Sequence, residues 1–197
     1  MGWGIQHMSD ICPADTRRRF GGVDRLYGPG SVERLGGAHV AVAGIGGVGS
    51  WCVEALARSG VGALTLIDFD QVGESNVNRQ LHALTDTLGA AKVEIMARRI
   101  GGINPVCRVN PVDDFVTADN VHEILPSDLT LLIDCTDQVV AKVAMVIEAA
   151  ARGLALVICG GAGGKTDALN LRAGDLSQAV NDALLAKLRN TLRRHYG

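Results

Sequence analysis

Seven consecutive residues, Gly44-Ile45-Gly46-Gly47-Val48-Gly49-Ser50, carry the pattern most open to a chemical reading. They follow the apolar run His39-Val40-Ala41-Val42-Ala43 and precede a helical pattern from Trp51 to Arg58. A strand, a glycine turn and a helix in that order form a cradle for phosphate. Gly44 can make the tight turn, Gly46 lets backbone approach a phosphate, and Gly49 lets the helix pack close to the strand. The first N–H groups of such a helix have no internal partner, and its macrodipole adds positive charge there, so an anion is favoured. The next apolar run ends in Asp68, 19 residues beyond Gly49, where an acid can accept hydrogen bonds from ribose hydroxyls. A glycine-rich turn without a ligand is the plainer alternative. Strand, helix and acid in register favour a nucleotide.

The elements that must position these residues follow from patterning. The 197 residues are 47% hydrophobic and 20% charged, which suits a globular domain with a sizeable core. Apolar runs near residues 38–43, 63–68, 107–112, 129–134 and 154–159 alternate with helical patterns near 49–59, 89–102 and 137–152. A short helix over 31–35 with Ser31 as its cap, another capped by Thr117 and ending near Leu125, and a mostly helical stretch from Leu176 to Tyr196 complete the expectation. Alternating strands and helices predict an α/β fold: a doubly wound, mainly parallel sheet of Rossmann-like nucleotide-binding topology. Residues 1–16 read as an irregular N-terminal segment and 17–197 as a single domain. Right-handed crossovers collect Gly44–Gly49, Asp68, Asp134 and Gly160–Gly164 at one sheet edge.

Composition narrows the partners. Net charge is −2, so nucleic acid would be met by a local patch. Two basic clusters offer one: Arg17, Arg18 and Arg19, and Lys187, Arg189, Arg193 and Arg194. The five cysteines contain no CxxC pair, which argues against structural zinc and for buried free thiols. No apolar run reaches about 18 residues and the N-terminus lacks a signal-peptide pattern, so no membrane span and a cytoplasmic location are expected. His39 and His82 read as structural and Lys165 as surface.

A dinucleotide site needs the glycine turn and Asp68 but not the long polar loop Asp70 to Gln80, Lys92, or the run Asp134-Cys135-Thr136-Asp137. With those in fixed order the sequence resembles the ThiF/MoeB/HesA family of adenylating enzymes, relatives of ubiquitin-activating enzyme, over about residues 17–197. The matching stretches are RFGGVDRLYG at 19–28, GIGGVGSW at 44–51, NRQLHAL at 78–84, VDDFVTADN at 112–120 and GGAGG at 160–164. They are most similar to the branch of the family that dehydrates threonylcarbamoyladenosine in tRNA.

The resemblance implies roles. Gly44, Gly46, Gly47 and Gly49 match the ATP loop, and Asp68 the ribose-binding acid. Asn76, Arg79 and Lys92 match the polar groups around the triphosphate. Asp137 matches the acid near magnesium and the α-phosphate, and Asp134 is the strand-end acid before it. Arg25 looks like an arginine that reaches the partner subunit's ATP site, which implies a homodimer. Gln138 and Leu26 depart from the family, which often has asparagine and glutamine there. Arg79, Lys92 and Asp137 are the implied catalytic set, with ATP and Mg2+ as cofactors. Arg79 and Lys92, both expected on a polar edge, can neutralise charge as pyrophosphate leaves, and Asp137 can hold magnesium through oxygen. Taken alone, Arg79 and Lys92 would read as solvated charges and Asp137 as a helix cap; Asp70 ranks second as a loop acid.

The implied partners are tRNA carrying threonylcarbamoyladenosine, a second copy of the chain, and sulfur-relay or tRNA-modification proteins. Family members that charge ubiquitin-like proteins use a cysteine in the crossover after the last strand, and Gly160 to Gly197 contains none. Adenylation of a sulfur carrier, or a silent binding subunit, are the alternatives. The dehydratases continue past residues 180–195, so a chain truncated at its C-terminus is expected.

Overall fold

The computed structural model describes residues 15–196. Cys12 and most of the segment expected to be irregular lie outside the described residues. Five strands form one sheet: β1 (His39–Ala43), β2 (Ala63–Ile67), β3 (Arg108–Val112), β4 (Leu131–Asp134) and β5 (Ala155–Ile158). Their order is β3-β2-β1-β4-β5 and every pairing is parallel. The chain begins in the middle, runs outward to β3, then returns to the other side of β1. The strand order therefore reverses between β1 and β4, and that reversal opens a crevice at the strands' carboxyl ends.

Burial explains why the strands were readable. All residues of β1 and β2 are buried, as expected of strands covered on both faces. Alternate residues serve two cores. Val40, Val42, Leu64 and Leu66 pack against Val53 and Ala57 of α3 (Gly49–Arg58) and Val93, Met96 and Ile100 of α4 (Lys92–Ile103). Ala41, Ala43 and Leu132 face α5 (Val121–Ile124) and Ala141, Ala144 and Met145 of α6 (Val139–Arg152). Pro111 sits in β3, an edge strand, where a missing N–H costs nothing.

Several boundaries differ from expectation. Residues 16–27, read without a helix, form α1 (Thr16–Tyr27), so Thr16 is helical. Asp15 caps it by accepting from Arg18 N at 3.0 Å. Gly21 and Gly22 hide this helix, since each glycine costs about 1 kcal/mol of helix propensity. Tertiary contacts compensate: Phe20 is buried and Arg19 Nη1 donates to Ile103 O at 2.8 Å. Phe20 lies over Gly60, whose φ is +84° and whose added Cβ would stand 3.0 Å from Phe20 Cγ. Ser31 is not the cap of α2 (Ser31–Gly36); Gly30 takes that place in a left-handed conformation. Ser31 Oγ instead donates to Gly28 O, and Asp24 Oδ1 accepts from Val32 N at 2.9 Å. Thr117 closes a turn with Asn120 before the one-turn α5 rather than capping it. The last helix, α7, spans Ala183–His195.

Phe20→Ala should destabilise the protein by about 3–4 kcal/mol, the usual cost of emptying a buried aromatic site. Urea unfolding followed by circular dichroism checks this. A midpoint within error of the unaltered chain would mean that α1 is not held by Phe20.

Candidate nucleotide site

The glycine turn closes as its spacing demands. Gly44 has φ +84°, and a Cβ there would stand 2.9 Å from Cys135 C and O and from Thr136 N. A Cβ on Gly49 would stand 1.8 Å from Gly44 O. Around Gly46 the space is open, with Gln80 Nε2 nearest at 3.9 Å. α3 begins without a side-chain cap, and the amides of Gly46, Gly47 and Val48 have no acceptor among the described residues. Unsatisfied amides at an open helix start are the physical requirement for binding phosphate.

Asp68, at the end of β2, accepts from Ile45 N at 2.6 Å through Oδ2 and from Asp70 N at 2.8 Å through Oδ1. It thereby fixes the glycine turn to the neighbouring strand. Burial raises its pKa above the usual carboxylate range, against the pull of those amides and of Lys92.

The polar loop folds over the turn. Trp51 Nε1 donates to Arg79 O at 3.0 Å, and Arg79 Cγ lies 3.3 Å from where a Gly47 Cβ would be. The Arg79 guanidinium is exposed and donates only to Ser75 O and Asn78 Oδ1, at 3.0 and 2.9 Å. It has no carboxylate partner among the described residues. Asn76 Oδ1 accepts from Gly73 N at 3.0 Å and shapes the loop from within. Lys92 departs from the expected polar edge. Its side chain is 5% exposed and its Nζ lies 2.7 Å from Asp70 Oδ2. Asp70, ranked second from sequence, is thus the ion-pair partner of this buried side chain. Behind them Gln80 and His82 are buried, with Gln80 Oε1 and both His82 ring nitrogens unpartnered among the described residues.

On the β4 side the two acids separate. Asp137 is exposed and makes no hydrogen bond or ion pair among the described residues; α6 begins after Gln138 without a side-chain cap, so Asp137 is not a helix cap. Asp134 is fully buried. Its Oδ1 accepts from Thr136 N and Oγ1 at 2.9 and 2.7 Å and faces Lys142 Nζ at 3.1 Å. Its Oδ2 has no partner among the described residues, and burial raises its pKa. Asp134 therefore lies beneath the edge, where it positions the loop carrying Asp137 rather than facing solvent. Lys142, passed over in the sequence because a helical lysine reads as solvated, is equally buried and donates to Cys159 O at 2.9 Å.

Beyond β5, Asp182 caps α7 by accepting from Leu185 N at 2.9 Å, and also accepts from Gly161 N at 3.0 Å. Lys165 is half-exposed but ion-paired to this same Asp182, not a free surface charge. The basic clusters are split. Arg189 is spent on Leu176 O and Ala179 O, leaving Lys187, Arg193 and Arg194 exposed. In the other cluster Arg17 pairs with Glu33 and Arg19 serves Ile103. Arg25 is exposed in the last turn of α1 beside exposed Leu26 and Tyr27. The four described cysteines are free but half-buried rather than buried. His39 is structural, set between Asp128 Oδ1 at 2.8 Å and Thr65 Oγ1 at 2.9 Å. No described helix is long and apolar enough to cross a membrane, and no group of three metal-ligating side chains occurs among the described residues.

The ThiF family model matches residues 22–181. The chain is 48% identical over 190 residues to tRNA threonylcarbamoyladenosine dehydratase of Escherichia coli K12, covering 96% of this chain and 71% of that protein. To the protein of the same name from Bacillus subtilis it is 40% identical over 176 residues, covering 89% and 69%. The solved structure of the E. coli dehydratase in complex with ATP superposes with a TM-score of 0.90 at 48% identity, over 95% of this chain and 77% of that one.

His82 supplies a test of the site's interior. Burial, with the Lys92 ammonium, pulls its pKa from 6.5 down to about 4. A depressed base contributes stability that is complete above pH 6.5 and is lost as pH falls towards 4, because the unfolded chain takes up a proton that the native ring does not. The free energy of unfolding should therefore fall on acidification through this window, with a slope approaching about 1.4 kcal/mol per pH unit. His82→Leu should lose that part of the slope. Parallel pH profiles for the two proteins in urea would show that His82 is not the group responsible.

Proposed function

The chain belongs to the ThiF family, and from that membership we propose that it is an ATP-dependent dehydratase of threonylcarbamoyladenosine in tRNA. It activates the threonylcarbamoyl carboxylate as an acyl-adenylate. The observation that carries the chemistry is one sheet edge combining open glycine-loop amides with two exposed charges of opposite sign, Arg79 and Asp137, neither paired to a countercharge among the described residues. The substrate rests on the likeness, over 96% of the chain, to a tRNA threonylcarbamoyladenosine dehydratase.

In this reading the phosphates lie on the amides of Gly46, Gly47 and Val48, and Asp68 takes the ribose hydroxyls. A carboxylate oxygen of the substrate attacks the α-phosphorus and pyrophosphate leaves. Arg79 and Lys92 face the charge that develops on the phosphate oxygens, Arg79 as a fork and Lys92 as a point charge. A nitrogen or oxygen within the substrate then attacks the activated carbonyl, closes the ring and releases AMP. No protein nucleophile takes part. A lone exposed carboxylate suits magnesium, which binds through one or two carboxylates together with substrate phosphates. Asp137 would hold the ion, which when bound neutralises phosphate charge. Arg25, exposed beside Leu26 and Tyr27, reaches a second copy of the chain in a homodimer. The exposed Lys187, Arg193 and Arg194 offer tRNA a local phosphate contact in the cytoplasm.

The deciding experiment measures AMP formed from ATP with threonylcarbamoyl-modified tRNA and with unmodified tRNA. AMP should form only with the modified tRNA, and equal background with both would overturn the substrate. Arg79→Ala should lower the rate about 10²–10³-fold with an unchanged urea midpoint, because its guanidinium is exposed. Lys92→Ala should lose both rate and stability, because it leaves a cavity beside Asp70. Asp68→Ala should weaken ATP binding, since ribose contacts are made equally in ground and transition states. Turnover near the unaltered rate in Arg79→Ala would remove that residue from the mechanism.

A further inference from the structure

Three thiols lie directly beneath the glycine loop, and none has a part in the proposed chemistry. Cys52 comes from the first turn of α3, Cys135 follows β4 and Cys159 follows β5. β4 and β5 pair in register through Asp134 and Ile158, so Cys135 and Cys159 are the next opposed positions. Their sulfurs are 3.7 Å apart. Paired strands stand about 4.8 Å apart, within the Cα separation of roughly 4.4–6.8 Å that a disulfide accepts. Both residues are half-buried, so a small oxidant can reach them.

We infer that Cys135 and Cys159 are a peroxide-oxidisable dithiol whose closure to a disulfide displaces the glycine loop and weakens nucleotide binding. This rests on the reading that ATP occupies that loop. In the first step the Cys159 thiolate attacks one oxygen of hydrogen peroxide. The O–O bond breaks, and the departing hydroxide takes up the thiol's proton as water, leaving a sulfenic acid. The Cys135 sulfur then attacks the Cys159 sulfur. The S–S bond forms, the S–O bond breaks, and the hydroxyl leaves with the Cys135 proton as a second water. Two thiols and one peroxide give one disulfide and two waters. The hydrogen bond from Cys135, with the nearby Lys142 ammonium, lowers the Cys159 pKa below that of a free thiol, which favours the attacking thiolate.

Coupling to the loop follows from where slack is missing. The sulfurs must close by about 1.7 Å to reach bonding distance. Cys159 is held from two sides: its N–H donates to Asp134 O at 2.8 Å and its carbonyl accepts from buried Lys142 Nζ at 2.9 Å. Cys135 is held by one bond, its N–H donating to Ala43 O at 2.8 Å, so the larger share of the movement falls on Cys135 and is passed through Ala43 to the turn that starts at Gly44. Its carbonyl stands 2.9 Å from the Cβ position of Gly44, and its Cβ 3.3 Å from that of Gly49. Those two glycines set the turn from which the phosphate-facing amides project.

Reduced protein is treated with hydrogen peroxide with and without ATP, remaining thiols are alkylated, and peptides are mapped by mass spectrometry. A cross-link between the peptides carrying Cys135 and Cys159, two hydrogens lighter, is expected. ATP affinity should fall roughly tenfold and return with dithiothreitol. ATP should slow the cross-linking, as reciprocity of coupling requires. Cys159→Ser should bind ATP like the reduced protein before and after peroxide. Absence of the cross-link, a Cys52–Cys135 link in its place, or equal ATP affinity of the two forms would each overturn the inference. Cross-linking and ATP affinity are both scored without turnover, so a chain that binds ATP but fails to dehydrate tRNA leaves the dithiol switch intact. A reduced chain that binds no ATP overturns the proposed function and the coupling together.

Discussion

The arrangement depends on one steric constraint: β1, α3 and the loop after β4 meet where no Cβ fits. Gly49 faces Gly44 O at a separation no side chain tolerates, and Gly44 faces the backbone of Cys135 and Thr136. This contact brings the start of α3 close to the sheet and turns its first amides outward. It also presses the β4 loop against the turn, so the groups on either side of the crevice keep a fixed spacing. The strand order reverses here, so backbones separate above the contact and leave room for a ligand.

Two lysines then set the electrostatics from below. Lys142 and Asp134 are both fully buried. Burying two charges costs several kcal/mol per ion, and their attraction roughly offsets it, so the pair is poor evidence of stability. It holds three backbones in one arrangement instead: Asp134 through Thr136, and Lys142 through the Cys159 carbonyl. Lys92 is buried against Asp70, whose backbone N–H donates to Asp68 Oδ1. The exposed charges, Arg79 and Asp137, are in contrast tied to no countercharge among the described residues. One buried pair and one buried lysine under an exposed carboxylate position the edge, while the exposed groups without a countercharge face whatever occupies it.

How much of this the sequence revealed varied with the type of signal. β1, β2 and β4 were legible because strands covered on both faces are continuous apolar runs, and the glycine spacing matches the steric needs of one kind of turn. Asp68 was legible because it ends such a run. α1 was not: Gly21 and Gly22 suppress its local signal, and its stability comes from Phe20 docking on Gly60, a contact 40 residues away. Lys92 was expected on a polar edge and Lys142 was passed over, because lysine in a helix reads as solvated, and only the fold brings each to the carboxylate it meets. Arg189 was read as part of a basic patch and Lys165 as surface, and the bonds that tie each to distant residues are not revealed by sequence spacing. Ser31 and Thr117 were residues of the right type, Ser31 one residue after and Thr117 three residues before the position that caps its helix.

The way α1 is attached has a dynamic consequence. Its only buried side chain is Phe20, and its other ties are polar: Arg19 to Ile103 O, Asp24 to Val32 N and Arg17 to Glu33. Elements with so little buried surface open at free energies well below that of global unfolding. Amide protons of α1 should therefore exchange with solvent through a local opening, while those of β1 and β2 wait for the whole sheet to come apart. Arg25 travels with α1, so in the proposed homodimer its availability to a second subunit would follow the local opening equilibrium of that helix. Assembly would draw that equilibrium towards the docked helix, and the free energy of ordering α1 would be deducted from the strength of the subunit contact.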